Sequence, residues 1–202
     1  MGNSNSVQIN IDEAQYLSDL HGIKKDLEDT MRLCHCLQTH SDSDDFDLDF
    51  ADAFTTAILI RYARSFVTGV RSKVDYAAFD LLTDDEKKDH EKYKAFRDKH
   101  IAHSVNKFEQ NRLTVYYDKE TLEEKGIYDV SVNHYRVIGL SPKDIDKIII
   151  LCQKWLTFIN NKIKIEKAKV VNIIRRIPKK EIIQLEGKLE PFVDEDTIHK
   201  RR

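Results

Sequence analysis

The chain has 202 residues, of which 41% are hydrophobic and 34% charged, with a formal net charge of −2. That is enough apolar material for one domain with a real core, and the charge balance argues against a protein that coats nucleic acid through its overall field. No run approaches the roughly 18 apolar residues of a membrane span and no charged-then-apolar leader opens the chain, so a cytoplasmic protein without membrane association is expected. Three cysteines, Cys34, Cys36 and Cys152, are an odd number for a disulfide framework and suit a reducing compartment.

Residues 1–9 are polar and read as a disordered end. A first helix is expected over 10–38, where Ala14, Leu17, Leu20, Leu27, Met31, Cys34 and Leu37 recur at mostly three- and four-residue steps. Cys34, His35, Cys36 and His40 are all metal-ligand types. Adjacent helical positions point about 100° apart, and the cysteines lack the Cys-x2-Cys spacing, so no metal is expected there. An acidic stretch over 41–49 leads into a second helix over 50–72. On it the apolar stripe of Phe50, Phe54 and Ala57 continues as Arg61, Arg64, Thr68 and Arg71. This face reads either as a helix leaving the core halfway or, turned toward the next helix, as a ladder of guanidiniums suited to phosphate.

After a short apolar connector, Thr83-Asp84-Asp85-Glu86 has capping-box spacing, and no Gly or Pro interrupts the run from there to Phe108. Inside this third helix stand Arg97, Asp98, His100 and His103. At about 100° per residue, Arg97 and His100 share a face and so do His100 and His103, but Arg97 and His103 diverge by about 120°. One straight helix cannot aim both at one atom. Either the helix bends near Ile101 or a second copy of the chain completes the site. By spacing alone, these residues read as packing histidines and an ion-paired arginine.

Residues 112–118 and 128–138 alternate and are rich in β-branched and aromatic side chains, which predicts two antiparallel strands with a short helical turn in the gap. A two-stranded ribbon is marginal alone, so it is expected to lie on the helices. Ser141-Pro142 then opens a last long helix with a wide apolar face that includes Ile145, Ile148, Cys152 and Ile159. From Lys162 to Lys180 the chain turns basic, and Pro178 breaks any helix there.

The string Arg97-Asp-Lys-His-Ile-Ala-His103 resembles the Arg-(x)5-His signature of the HEPN superfamily. Phe96, the Ala102-His103-Ser104 end and the upstream Ile60-Arg-Tyr-Ala-Arg-Ser-Phe66 with Gly69 and Arg71 are similar to abortive-infection-type members, and the likeness covers roughly 49–155. The resemblance implies a mainly α fold: a HEPN-like four-helix bundle over 10–165, a small two-stranded β ribbon inserted before the last long helix, and a basic extension over 166–202. It implies a metal-independent endoribonuclease without a cofactor, acting as a homodimer with a composite active site. RNA would be cleaved by 2′-hydroxyl attack to leave 2′,3′-cyclic phosphate ends. In that reading His103 is the general acid or base, Arg97 binds the scissile phosphate, Asp98 orients Arg97 or the partner's His, and His100 is either a second acid–base group or a packing residue. Arg61, Arg64 and Arg71 would hold the RNA backbone. Toxin-like members in phage defence add an antitoxin or regulatory protein as partner. Asp98 stands where Asn is commoner, bringing a negative charge close to the phosphate. The alternative is a non-catalytic dimeric module of the same fold that binds RNA or a partner protein.

Overall fold

The computed structural model describes residues 11–41, 47–67, 72–98, 109–118, 126–136 and 139–184. The elements are α1 (Asp12–Ser41), α2 (Leu48–Arg64), a 3-10 helix (Tyr76–Leu81), α3 (Asp84–Phe96), β1 (Glu109–Tyr117), β2 (Ile127–Arg136), α4 (Pro142–Ile174) and α5 (Lys179–Gln184). The chain is thus mainly helical with one small antiparallel sheet. Among the described residues no helix is long and apolar enough to cross a membrane.

The helix starts follow local chemistry. Asp47 caps α2 by accepting from the backbone N–H of Asp49 at 2.8 Å. At α3 the capping box is complete: the Thr83 N–H donates to Glu86 at 2.7 Å and the Glu86 N–H donates to Thr83 Oγ1 at 3.3 Å. Ser141 caps α4, with Pro142 at the first helical position. Each device satisfies backbone donors that the first helical turn leaves free.

α1 and α4 lie antiparallel over their length. Gln38 near the end of α1 donates to Asp146 near the start of α4 at 2.8 Å, and Tyr16 near the start of α1 feels Glu166 and Lys169. Between them Leu20, Ile23, Leu27 and Leu37 meet Ile148, Leu151, Trp155 and Ile159, with Ile58, Leu59 and Tyr62 of α2 closing the core. Each such side chain contributes about 1.5–3 kcal/mol on burial.

Two expectations change. The first concerns α2, which ends at Arg64 rather than Ser72: the Phe66 N–H turns back to the Ala63 carbonyl, and the Val74 N–H donates to the Ser65 carbonyl at 2.9 Å. That reversal brings Val74 back into the core beside Phe66. The connector that follows contains the 3-10 helix, capped by Asp75.

The second concerns the ribbon, whose apolar face no described helix covers. Its register pairs Leu113 with Val132 and Val115 with Val130, on one face, and these four are 65%, 53%, 39% and 54% exposed. The opposite face is polar and self-satisfied, with Asn133 donating to Thr114 at 2.6 Å, Tyr116 bonded to Ser131, and Arg112 over the Tyr135 ring. The backbone ladder and these polar pairs hold the two strands to each other.

The ribbon is nonetheless anchored at its root. Gly139 adopts φ +83, a conformation that disfavours any side chain, and the following Leu140 N–H donates to Thr55 on α2 at 3.1 Å. The expected turn between the strands, over 119–125, lies outside the described residues. α4 crosses residue 165, the expected end of the bundle, without a break, because Ile163 and Val170 are both buried.

Candidate functional site

α3 carries the candidate site at its C-terminal end. Its core face is His90, Tyr93 and Phe96, spaced by three residues and buried. Its outer edge is strapped to α4 by Glu86 to Lys154 at 2.7 Å, Asp89 to Lys147 at 2.9 Å and Lys92 to Asp144 at 2.6 Å. Tyr93 adds a hydrogen bond to Asp144 at 3.0 Å, and burial together with that carboxylate raises the phenol above its ordinary range. The helix end is therefore held firmly before the motif begins.

Arg97 is the C-cap of α3, and with Asp98 it continues in a wider π-type turn. Arg97 Nη1 donates to Asp98 at 2.8 Å, and the two side chains are 33% and 51% exposed. The guanidinium is thus both oriented by its neighbour and open to solvent. His100 and His103 lie outside the described residues, as does Arg71.

Arg61 and Arg64 do not form a ladder facing α3. Arg61 reaches Asp29 at 3.2 Å and Asp26 at 3.7 Å, and Arg64 reaches Asp26 at 3.7 Å, both carboxylates standing on α1. Asp26 and Asp29 are 4% and 5% exposed. Hydrogen bonding from Lys25 and Arg32 outweighs burial and holds the Asp29 carboxyl below its usual range. A buried carboxylate needs a cation more than a passing phosphate does, so α1 turns these arginines toward itself. The legible signal was Asp19, Asp26 and Asp29, three acids on the inward side of an otherwise apolar helical pattern.

A second polar feature was not legible. His90 is fully buried among Tyr62, Phe66, Phe79 and Trp155, with ring centroids 4.5–5.7 Å away. Trp155 Nε1–H donates to the Tyr62 hydroxyl at 3.3 Å, and that hydroxyl lies 2.8 Å from His90 Nδ1. Trp155 can only donate, so the network is best satisfied with Tyr62 donating to Nδ1 and the His90 proton on Nε2. His90 Nε2 then has no hydrogen-bond partner, the nearest carboxylate oxygen being Glu91 at 3.7 Å. Burial pushes the imidazole pKa down to about 4, so His90 is neutral at physiological pH.

Among the described residues no group of three or more His, Cys, Asp or Glu side chains is placed to hold a metal ion. Cys34 and Cys152 are buried and Cys36 exposed, all three as free thiols. Fold and site together define a helical protein with an outward ribbon and one arginine–aspartate pair presented at the end of a capped, strapped helix. Comparison with protein-family models, curated proteins and solved structures returned no match.

Proposed function

We propose that the chain is a HEPN-type, metal-independent endoribonuclease in which two copies bring their motifs into one cleft. The observation that carries this reading is the Arg97–Asp98 pair: the arginine sits at the end of a helix strapped to α4, its guanidinium held at 2.8 Å by the adjacent carboxylate and 33% exposed. A partly exposed, pre-oriented guanidinium suits a scissile phosphate, because its planar donors match phosphate oxygens and stabilise the charge that develops on them. His103 would move the proton of the attacking 2′-hydroxyl or of the leaving 5′-oxygen, with His100 beside it. On a continuous helix Arg97 and His103 would diverge by about 120°, and a second copy would then supply the complementary group. The same chemistry suits a defence nuclease or toxin, with an antitoxin or regulatory protein as an additional partner.

A second reading, a non-catalytic module that binds RNA or a protein, rests on one observation: Arg61 and Arg64, which a nuclease cleft would use beside Arg97, pair instead with α1 carboxylates. The two readings part in one assay. Mixed RNA is incubated in excess chelator with wild type, Arg97→Ala and His103→Ala, and the fragment ends are analysed. Cleavage by wild type alone, with 2′,3′-cyclic phosphate ends, is expected. Equal cleavage by all three proteins, or none by wild type across varied RNA and pH, overturns the nuclease and leaves the binding module.

A further inference from the structure

We infer that the far end of α4 and the start of α5 form a track for the RNA phosphate backbone, separate from the Arg97 end. The partner class rests on the RNA reading above. The location rests on which cations meet no carboxylate among the described residues.

Through α2, α3 and the first half of α4 most cations find carboxylates, Lys143 excepted: Arg61 and Arg64 are held from α1, Lys147 by Asp89, and Lys154 by Glu86. The pattern changes along the second half of α4. There Lys162 reaches Asp75 at 3.7 Å and Lys169 is held by Glu166 at 2.7 Å. Lys164, Lys167, Arg175, Arg176, Lys179 and Lys180 are all exposed, and none has an ion pair with a described carboxylate.

Helix energetics explains only part of this. Arg175 and Arg176 follow the C-terminus of α4, where the dipole favours cations. Lys164 and Lys167 stand well before the last turn and gain nothing from it. Lys179 and Lys180 occupy the first turn of α5, the end at which a positive charge is unfavourable. Six exposed cations gathered at one place, two of them at a helix start, point to a use outside the helix.

The geometry suits a polyanion. At about 100° per residue, Lys164, Lys167 and Arg175 fall within an arc of about 80°, and at 1.5 Å per residue they extend over about 16 Å. Ile163 and Val170, at 8% and 6% exposure, pin that segment to the bundle. The exposed apolar residues there, Ile165 and Val171 at 54% and 36%, point about 120° apart, so the tract lacks the continuous apolar face that an interfacial membrane helix needs. Charge presented on a fixed helix favours the regularly spaced phosphates of RNA.

The track and Arg97 lie at opposite ends. α3 runs antiparallel to α4, since Glu86, Asp89 and Lys92 meet Lys154, Lys147 and Asp144 in reverse order. Arg97 is thus near the start of α4, whereas Arg175 is about 46 Å further along the axis than Asp144 at 1.5 Å per residue. At about 3.4 Å per nucleotide, one strand needs about 14 nucleotides to touch both within one chain.

The test uses the full chain carrying Arg97→Ala, so that binding is read without cleavage. A fluorescent 30-nucleotide single strand is titrated by anisotropy at several salt concentrations, against the same protein with all six cations changed to Gln. Expected is at least a tenfold loss of affinity at about 0.1 M salt and a log–log salt slope shallower by about 0.7 for each phosphate no longer neutralised. A companion set in which the four lysines become Arg keeps the charge and retains binding, and circular dichroism melting shows that both sets fold. Unchanged affinity and slope in the Gln set overturn the inference. So does binding of the parent to phosphatidylserine vesicles with none to RNA. If the track binds RNA while wild type cleaves nothing, the inference stands and the nuclease reading falls.

Discussion

His90 shows how a single residue links burial to pH. Desolvation is the main cause of its lowered pKa, with Glu91 raising it and Lys94 lowering it. Its folded value of about 4 lies below the ordinary 6.5, so as pH falls the unfolded chain takes up the proton first. The stabilising contribution is complete above about pH 6.5, declines between about 6.5 and 4, and is gone below; its ceiling is about 3 kcal/mol. Denaturant unfolding of wild type should therefore show a loss of stability across that window that His90→Phe lacks. Parallel pH profiles for the two proteins would remove His90 from the explanation. The aromatic surroundings come from α2, the 3-10 helix and α4, so no spacing on α3 announces them.

Among the elements, α3 and the ribbon contrast. The start of α3 is decided within four residues, because the Thr83–Glu86 box satisfies its own backbone donors. The strands too are legible, since alternating β-branched and aromatic residues fit a pleated surface. Where the ribbon sits is not, because alternation says that one face is apolar without saying what covers it. Leu113 and Val132 are 65% and 53% exposed, so Leu113→Thr and Val132→Thr should each change stability by no more than about 0.5 kcal/mol. Leu27→Ala, at a fully buried position of α1, should cost about 2–5 kcal/mol. Thermal melts of the three variants make the comparison, and a large loss for the ribbon variants would mean that its apolar face is covered.

Across the molecule as a whole, the long antiparallel pairing of α1 with α4 carries the second half of α4 into the bundle. Ending the chain after Ile165 removes Val170, which is 6% exposed. The expected loss is at least about 2 kcal/mol, or about 4–8 °C in melting temperature. An unchanged melting temperature would instead make residue 165 the true edge of the folded unit. The same pairing sets the Arg97 end and the basic end far apart, although both are cationic in the sequence and nothing in their spacing says which is near which.

The helical character, the caps at Thr83 and Ser141, the two strands and the Arg97-to-His103 string could all be read from the chain, because each depends on residues within a few positions of one another. What those pieces face emerged only on packing. Packing turned Arg61 and Arg64 to buried carboxylates on α1, left the ribbon's apolar side exposed, and separated from Arg97 the lysines and arginines of α4 and α5 that meet no described carboxylate. The physical reason is that ion pairing and burial are settled between elements, where the partner of a charge is whichever opposite charge the packing brings within about 4 Å.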